Sequence, residues 1–173
     1  MFATVKNTLA ALLFALIPLT AACSDPIEVG AKAPDVTVPD HDGREVSLGE
    51  AYKEGTVLVF FYPRANTPGC TAQACSLRDA YEPLTEKGVR IFGVSTDSVE
   101  RQRAFRDEHE LPFTLLADED GKVCEAFGVP RRANFAARQA FLVADGRIVW
   151  RDLSASTADQ AKDVLAALEA MDD

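Results

Sequence analysis

The sequence predicts an α/β fold, a central mixed β-sheet with helices packed on both faces and a β-hairpin extension at the N-terminal end. Three observations carry this. The runs "TVLVFFY" (56–62) and "VRIFGVS" (89–95) are apolar and rich in β-branched and aromatic residues, as strands buried on both faces require. The stretches between and after the strands repeat their apolar residues every three or four positions, the helical period. Late in the chain, "QAFLVADGRIVWR" (139–151) turns across Asp145-Gly146, which adds an antiparallel hairpin to an otherwise parallel arrangement.

Taken in order, "VTVPDHDGREVSL" (36–48) alternates on both sides of Asp42-Gly43 and predicts a hairpin or paired short strands. The first core strand, 56–62, leads to a helix from Thr71 that carries Ala74, Leu77, Tyr81 and Leu84, is kinked near its end by Pro83 and stops at Gly88. After the strand 89–95, Asp97 with Glu100 predicts a capped polar helix running to about Glu110. "FTLLAD" (113–118) is a short strand, Val123 to Phe127 a helical turn, and a Pro/Arg/Asn loop precedes the late hairpin. A last helix from near Ser156 places Ala161, Val164, Leu165 and Leu168 on one stripe. No internal repeat or second domain is visible.

The 173 residues divide into a leader (1–22), a linker (23–34) and one domain (35–173). In the leader Lys6 is the only charge before Asp25, and "NTLAALLFALIPLTAAC" (7–23) is apolar, too short for a membrane span and ends in small residues, which reads as a secretory signal. Cys23 directly after Ala21-Ala22 makes the signal a lipoprotein type, with Cys23 as the acylated mature N-terminus, although Thr20 stands where that pattern prefers a Leu-like residue. The expected location is therefore the bacterial periplasm or cell envelope, lipid-anchored. A net charge of −9 argues against nucleic acid, which needs a concentrated basic face, and Arg131-Arg132 with Arg138 is too small a cluster to supply one.

Cys70, Cys75 and Cys124 remain in the domain. In "TPGCTAQAC" (67–75) the first two stand five positions apart, open to three readings: a structural disulfide, metal ligands, or a reactive thiol with a partner. A domain of this size does not need stapling, and three cysteines is an odd number. Cys70 falls at a strand-to-helix junction, where unpaired N–H groups and the helix dipole favour an anion and cysteines become nucleophilic. If both cysteines are helical, their Cα atoms lie about 8.7 Å apart. A disulfide tolerates no more than about 7 Å. A bond between them then requires the first helical turns to unwind, the behaviour of a redox switch; the plain alternative is that Cys75 is a buried helix residue beside Leu77 and Tyr81. Cys124, in "DGKVCEAFGV" (120–129), reads as a small buried helix residue, with an auxiliary thiol as the alternative, and His41 and His109 read as solvated, without a role.

"FYPRANTPGCTAQACSLRD" (61–79) closely resembles the active-site segment of peroxiredoxins of the bacterioferritin-comigratory or peroxiredoxin Q group, its Pro-x-x-x-Thr-x-x-Cys pattern met by Pro63, Thr67 and Cys70. The likeness runs from about Val29 to the C-terminus and implies a thioredoxin-like fold. "ARQAFLVADGRI" (137–148) resembles the strand whose leading arginine would be Arg138. The resemblance implies a thiol-dependent peroxidase acting on hydrogen peroxide and organic hydroperoxides without a cofactor or metal. Cys70 would attack the peroxide, with Thr67, Arg138 and the Cys70 N–H holding its oxygens and Pro63 shielding the sulfur. Cys75 would resolve the sulfenic acid into an intramolecular disulfide, and thioredoxin or a thioredoxin-like protein would reduce it. Export points to an envelope-side reductant, and the resemblance implies a monomer. The rival readings are an envelope thiol-disulfide oxidoreductase, for which C-x-x-C would be the usual spacing, and a thioredoxin-fold metallochaperone binding Cu(I) or zinc through thiolates.

Overall fold

A computed structural model describes residues 25–172. The proposed leader, with Cys23, lies outside them. At the centre is β3 (Thr56–Phe61), which pairs in parallel with β4 (Val89–Ser95) and antiparallel with β8 (Gln139–Ala144). With β5 (Thr114–Ala117) beside β4 and β9 (Arg147–Asp152) beside β8, the sheet runs β5-β4-β3-β8-β9. β3 shows why it is central: Val57, Val59 and Phe61 point to one face, Leu58, Phe60 and Tyr62 to the other, and all six are fully buried. Each large side chain so buried contributes about 2–3 kcal/mol to folding. At Gly93 a Cβ would come within 2.7 Å of Phe60 Cζ, so the missing side chain is what lets that ring lie across β4.

On the Phe60 face pack α2 (Pro68–Asp79), α3 (Tyr81–Glu86), α4 (Val99–Glu108) and α6 (Gln160–Asp172), through Ala74, Leu77, Leu84, Phe105 and Val164. The Phe61 face is covered by α1 (Leu48–Glu54) and α5 (Lys122–Ala126). The predicted hairpin is β1 (Thr37–Pro39) with β2 (Glu45–Ser47), and the late hairpin forms across Asp145-Gly146 as expected. Among the described residues no helix is long and apolar enough to cross a membrane.

Several elements differ from the sequence reading. α1 was not anticipated; it is started by Ser47, whose Oγ accepts from Glu50 N at 3.2 Å, and held by Leu48, Ala51 and Tyr52 on one buried face. Pro83 breaks the helix rather than kinking it: lacking an N–H for Asp79 O, it interrupts the ladder, and α2 ends at Ala80. Ser98, not Asp97, caps α4, because Asp97 is drawn inward by the backbone of Ala65. α6 begins at Gln160, and Ser156 accepts Asp159 N ahead of it. The Pro/Arg/Asn loop contains a small ribbon, β6 (Arg131–Arg132) with β7 (Phe135–Ala136). His41, expected in solvent, is buried: its Nδ1 accepts from Leu115 N at 3.0 Å. The stretch expected as a linker runs along the domain from Pro26, with Ile27 N bonded to Phe127 O and Gly30 N to Ile148 O. Gly128, at φ +65°, leaves room for it; a Cβ there would sit 2.2 Å from Asp25 O.

Candidate active site

The turn between β3 and α2 carries Pro63, Thr67 and Cys70 in a short space. Thr67 is the N-cap of α2 with extended backbone (φ −102°, ψ 148°), Pro68 opens the first turn, and Cys70 follows within that turn. The N–H groups of a first turn have no partner inside the helix. Cys70 is a free thiol, 1% exposed, and its sulfur sits in the core cluster of the Phe60 face.

Arg138, on the short link between β7 and β8, reaches across to this sulfur. Its Nη2 donates to Cys70 Sγ at 3.4 Å and its Nη1 donates to Gln73 Oε1. Behind it Gln73 Nε2 donates to Gln160 Oε1 at 2.7 Å, and both glutamines are fully buried. Arg138 O accepts from Ala155 N at 3.2 Å, so the residue is fixed at backbone and side chain alike. Gly69 is where the guanidinium and the approach to α6 pass closest: a Cβ there would lie 3.3 Å from Arg138 Nη2 and 3.4 Å from Thr157 Cγ2. A cation with no carboxylate partner among the described residues, together with open N–H groups, gives the sulfur an electropositive setting.

The loop over the sulfur is pinned from the other side. Tyr62 Oη donates to Gln102 Oε1; Gln102 Nε2 donates to Leu116 O at 2.7 Å and to Ser95 Oγ at 3.0 Å. Ser95 Oγ donates to Asp97 Oδ2 at 2.8 Å, and the same oxygen accepts from Ala65 N at 2.7 Å. Burial pushes the Tyr62 phenol far above its ordinary range, keeping it a neutral donor. Asn66 takes up the left-handed backbone of the turn (φ +57°) and ties Nδ2 to Glu108 Oε2 at 2.8 Å.

Of the residues singled out in the sequence, Cys70 and Arg138 are in direct contact. Thr67 is next to them as helix cap, but its hydroxyl donates to Arg64 O at 3.0 Å and makes no cap bond. Pro63 is half-buried at the exit of β3. Cys75 is a half-buried free thiol inside intact α2, the reduced arrangement in which helical geometry sets it about 8.7 Å from Cys70. Cys124 lies under the opposite face of the sheet, in the Phe61 cluster, where burial and neighbouring Asp118 push its thiol far up. Gln73, Gln160 and the Ser95-Asp97-Gln102 network were not anticipated. Among the described residues no group of three or more His, Cys, Asp or Glu is placed to hold a metal ion.

Residues 29–151 match the model of the AhpC/TSA family. The chain is 45% identical over 132 residues to peroxiredoxin Bcp of Escherichia coli K12, spanning 72% of this chain and 84% of that protein. Its fold superposes on peroxidoxin BcpB of Mycobacterium tuberculosis with a TM-score of 0.80, at 32% identity over 84% of this chain and 98% of the other. The bacterioferritin comigratory protein of Xanthomonas campestris, studied for its alkyl peroxide reduction activity, gives a TM-score of 0.77 at 27% identity, covering 84% of this chain and all of that one (100%).

Proposed function

The chain belongs to the AhpC/TSA family, as a peroxidase of the Bcp/peroxiredoxin Q group with a thioredoxin-like fold, and from this premise we propose that Cys70 is its peroxide-reducing thiol and Cys75 the thiol that resolves it. The observation that carries the reading is the Arg138 guanidinium 3.4 Å from a sulfur in the first turn of α2.

In the first step the Cys70 thiolate attacks the distal oxygen of the hydroperoxide. An S–O bond forms as the O–O bond breaks, and the departing oxygen takes a proton and leaves as an alcohol or, from hydrogen peroxide, as water. Two electrons pass from sulfur to peroxide, leaving a sulfenic acid. Arg138 and the Cys70 N–H face the oxygens on which charge develops, and the Thr67 oxygen, whose own hydrogen is directed to Arg64 O, accepts a hydrogen bond from the bound hydroperoxide. Pro63 keeps bulk water off the sulfur. The Cys75 sulfur then bonds to the Cys70 sulfur, the S–O bond breaks and water leaves, which requires α2 to unwind between them. A thioredoxin-like dithiol protein reduces the resulting disulfide and is itself oxidised.

The apolar leader and Cys23 support an enzyme working in the cell envelope, anchored there by lipid and served by an envelope-side reductant. A monomer is the form we propose. The spacing of the pair argues against a protein thiol-disulfide oxidoreductase, and an insulin reduction assay run beside peroxide consumption separates the two. The test is rapid mixing with hydrogen peroxide. Turnover disappears in Cys70→Ser and in Cys75→Ser, and sulfenate is trapped only in Cys75→Ser; sulfenate at another cysteine, or sustained turnover without Cys70, overturns the proposal.

A further inference from the structure

Arg138 is aimed at Cys70 by a relay that begins in a distant helix. An arginine only donates, so Gln73 must turn Oε1 to Arg138 and Nε2 away from it, and Gln160 must present Oε1 to that Nε2. Gln160 Nε2 is left without a partner among the described residues, a buried orphan donor that carries a cost in stability. α2 and α6 otherwise give apolar side chains to the same core cluster, among them Ala74, Leu77, Ala161 and Val164. Packing alone would be served by more of the same, so an amide kept there at a cost in stability points to the acceptor it supplies.

The same seam has a second tie. Ser76 Oγ, one turn beyond Gln73, accepts from Ala161 N at 3.1 Å. Gln73 and Ser76 bracket Cys75 in the chain, and both must leave α6 if α2 is to unwind far enough to bring Cys75 to Cys70.

We propose that Gln160 is a positioning residue with opposite effects on the two chemical steps: through Gln73 it holds Arg138 on the Cys70 sulfur, favouring peroxide reduction, and with the Ser76 tie it clamps α2 to α6, slowing disulfide formation. This rests on the assignment of Cys70 and Cys75 above. The clamp keeps the helix folded until peroxide has reacted and sets how long the sulfenic acid persists before water leaves.

The test measures both steps in the full chain, by stopped-flow mixing with hydrogen peroxide and by rapid-quench alkylation read as intact mass. Gln160→Leu keeps the volume and removes the acceptor; its peroxide step slows about fivefold, the worth of one hydrogen bond, while its disulfide step speeds up by a similar factor. Gln160→Glu, which still accepts from Gln73, recovers the peroxide step. Ser76→Ala, which leaves Arg138 untouched, accelerates disulfide formation alone and carries the clamp half of the test even if Gln160→Leu does not fold. Parental rates in both Gln160→Leu and Ser76→Ala, or both steps slowing together without recovery in Gln160→Glu, overturn the inference while the cysteine assignment stands. A parent that forms no Cys70–Cys75 disulfide overturns both.

Discussion

Arg138 meets Cys70 and Gln73 with two nitrogens of one guanidinium, Nη2 at 3.4 Å from the sulfur and Nη1 on the amide oxygen. The geometry uses the planar fork of arginine, and a lysine ammonium cannot keep both contacts along the same directions. Arg138→Lys therefore slows the reaction with peroxide by about 100-fold, the loss typical of one misplaced donor to a developing charge. The second-order rate constant from stopped-flow mixing checks this.

Asp97 joins Ala65 N, Ser95 and Arg101, the last at 3.0 Å, beneath the active-site loop. Asp97→Ala strands a buried backbone N–H and frees the loop that carries Thr67, and costs about 3 kcal/mol. Urea denaturation measures the loss. Peroxide reduction weakens with it at temperatures where the protein is still folded, because the residues on that loop lose their fixed positions.

Cys124 is fully buried, its thiol pushed up by burial and by Asp118, and the whole sheet stands between it and Cys70. Native protein treated with iodoacetamide at neutral pH is labelled without modification of Cys124, which reacts only after denaturation. Cys124→Ala leaves peroxidase turnover at the parental level, and peptide mapping with an activity assay reads both outcomes.

His41 donates its backbone N–H to Leu115 O and accepts Leu115 N at Nδ1, between β5 and the turn of the N-terminal hairpin. Burial first, then the charge of Arg106 on α4, lowers its pKa, against the opposing pull of Asp40, Asp42 and Asp107; Arg103 also faces it, bonded to its carbonyl. A histidine whose folded pKa lies below its unfolded value of about 6.5 binds its proton more readily in the unfolded chain. Stability is thus full above that value and falls as acidity rises through the folded pKa. Thermal melts from pH 7.5 to 5 should show this decline, and His41→Asn, which can still accept from Leu115 N, should flatten it.

The core strands and the helix carrying Cys70 were legible because apolar residues persist through 56–62 and recur at helical spacing after Thr71, although that stretch is two helices rather than one. α1 was missed although Ser47 and Glu50 stand at capping-box spacing, Ser47 Oγ accepting from Glu50 N. The alternation of the preceding strand ran into it, and Gly49, present because Asp35 presses within 2.3 Å of where a Cβ would lie, weakened the helical signal. His41 was misread because Asp40 and Asp42 flank it in the chain, whereas the fold lays α4 and β5 over it. In the site, Pro63, Thr67 and Cys70 form a local pattern and could be read together. Gln73 and Gln160 could not, since they are 87 positions apart and neither carries a charge or a motif to connect them.

The interruption at Ala80 gives the reaction cycle a firebreak. Pro83 offers no N–H to Asp79, and α3 is moored separately by fully buried Leu84, so fraying that starts at Cys70 loses its track within α2. In the proposed cycle each turnover then deforms only the 12 residues of α2 while the strands beneath keep their register, and the next peroxide would meet a scaffold that never had to be rebuilt.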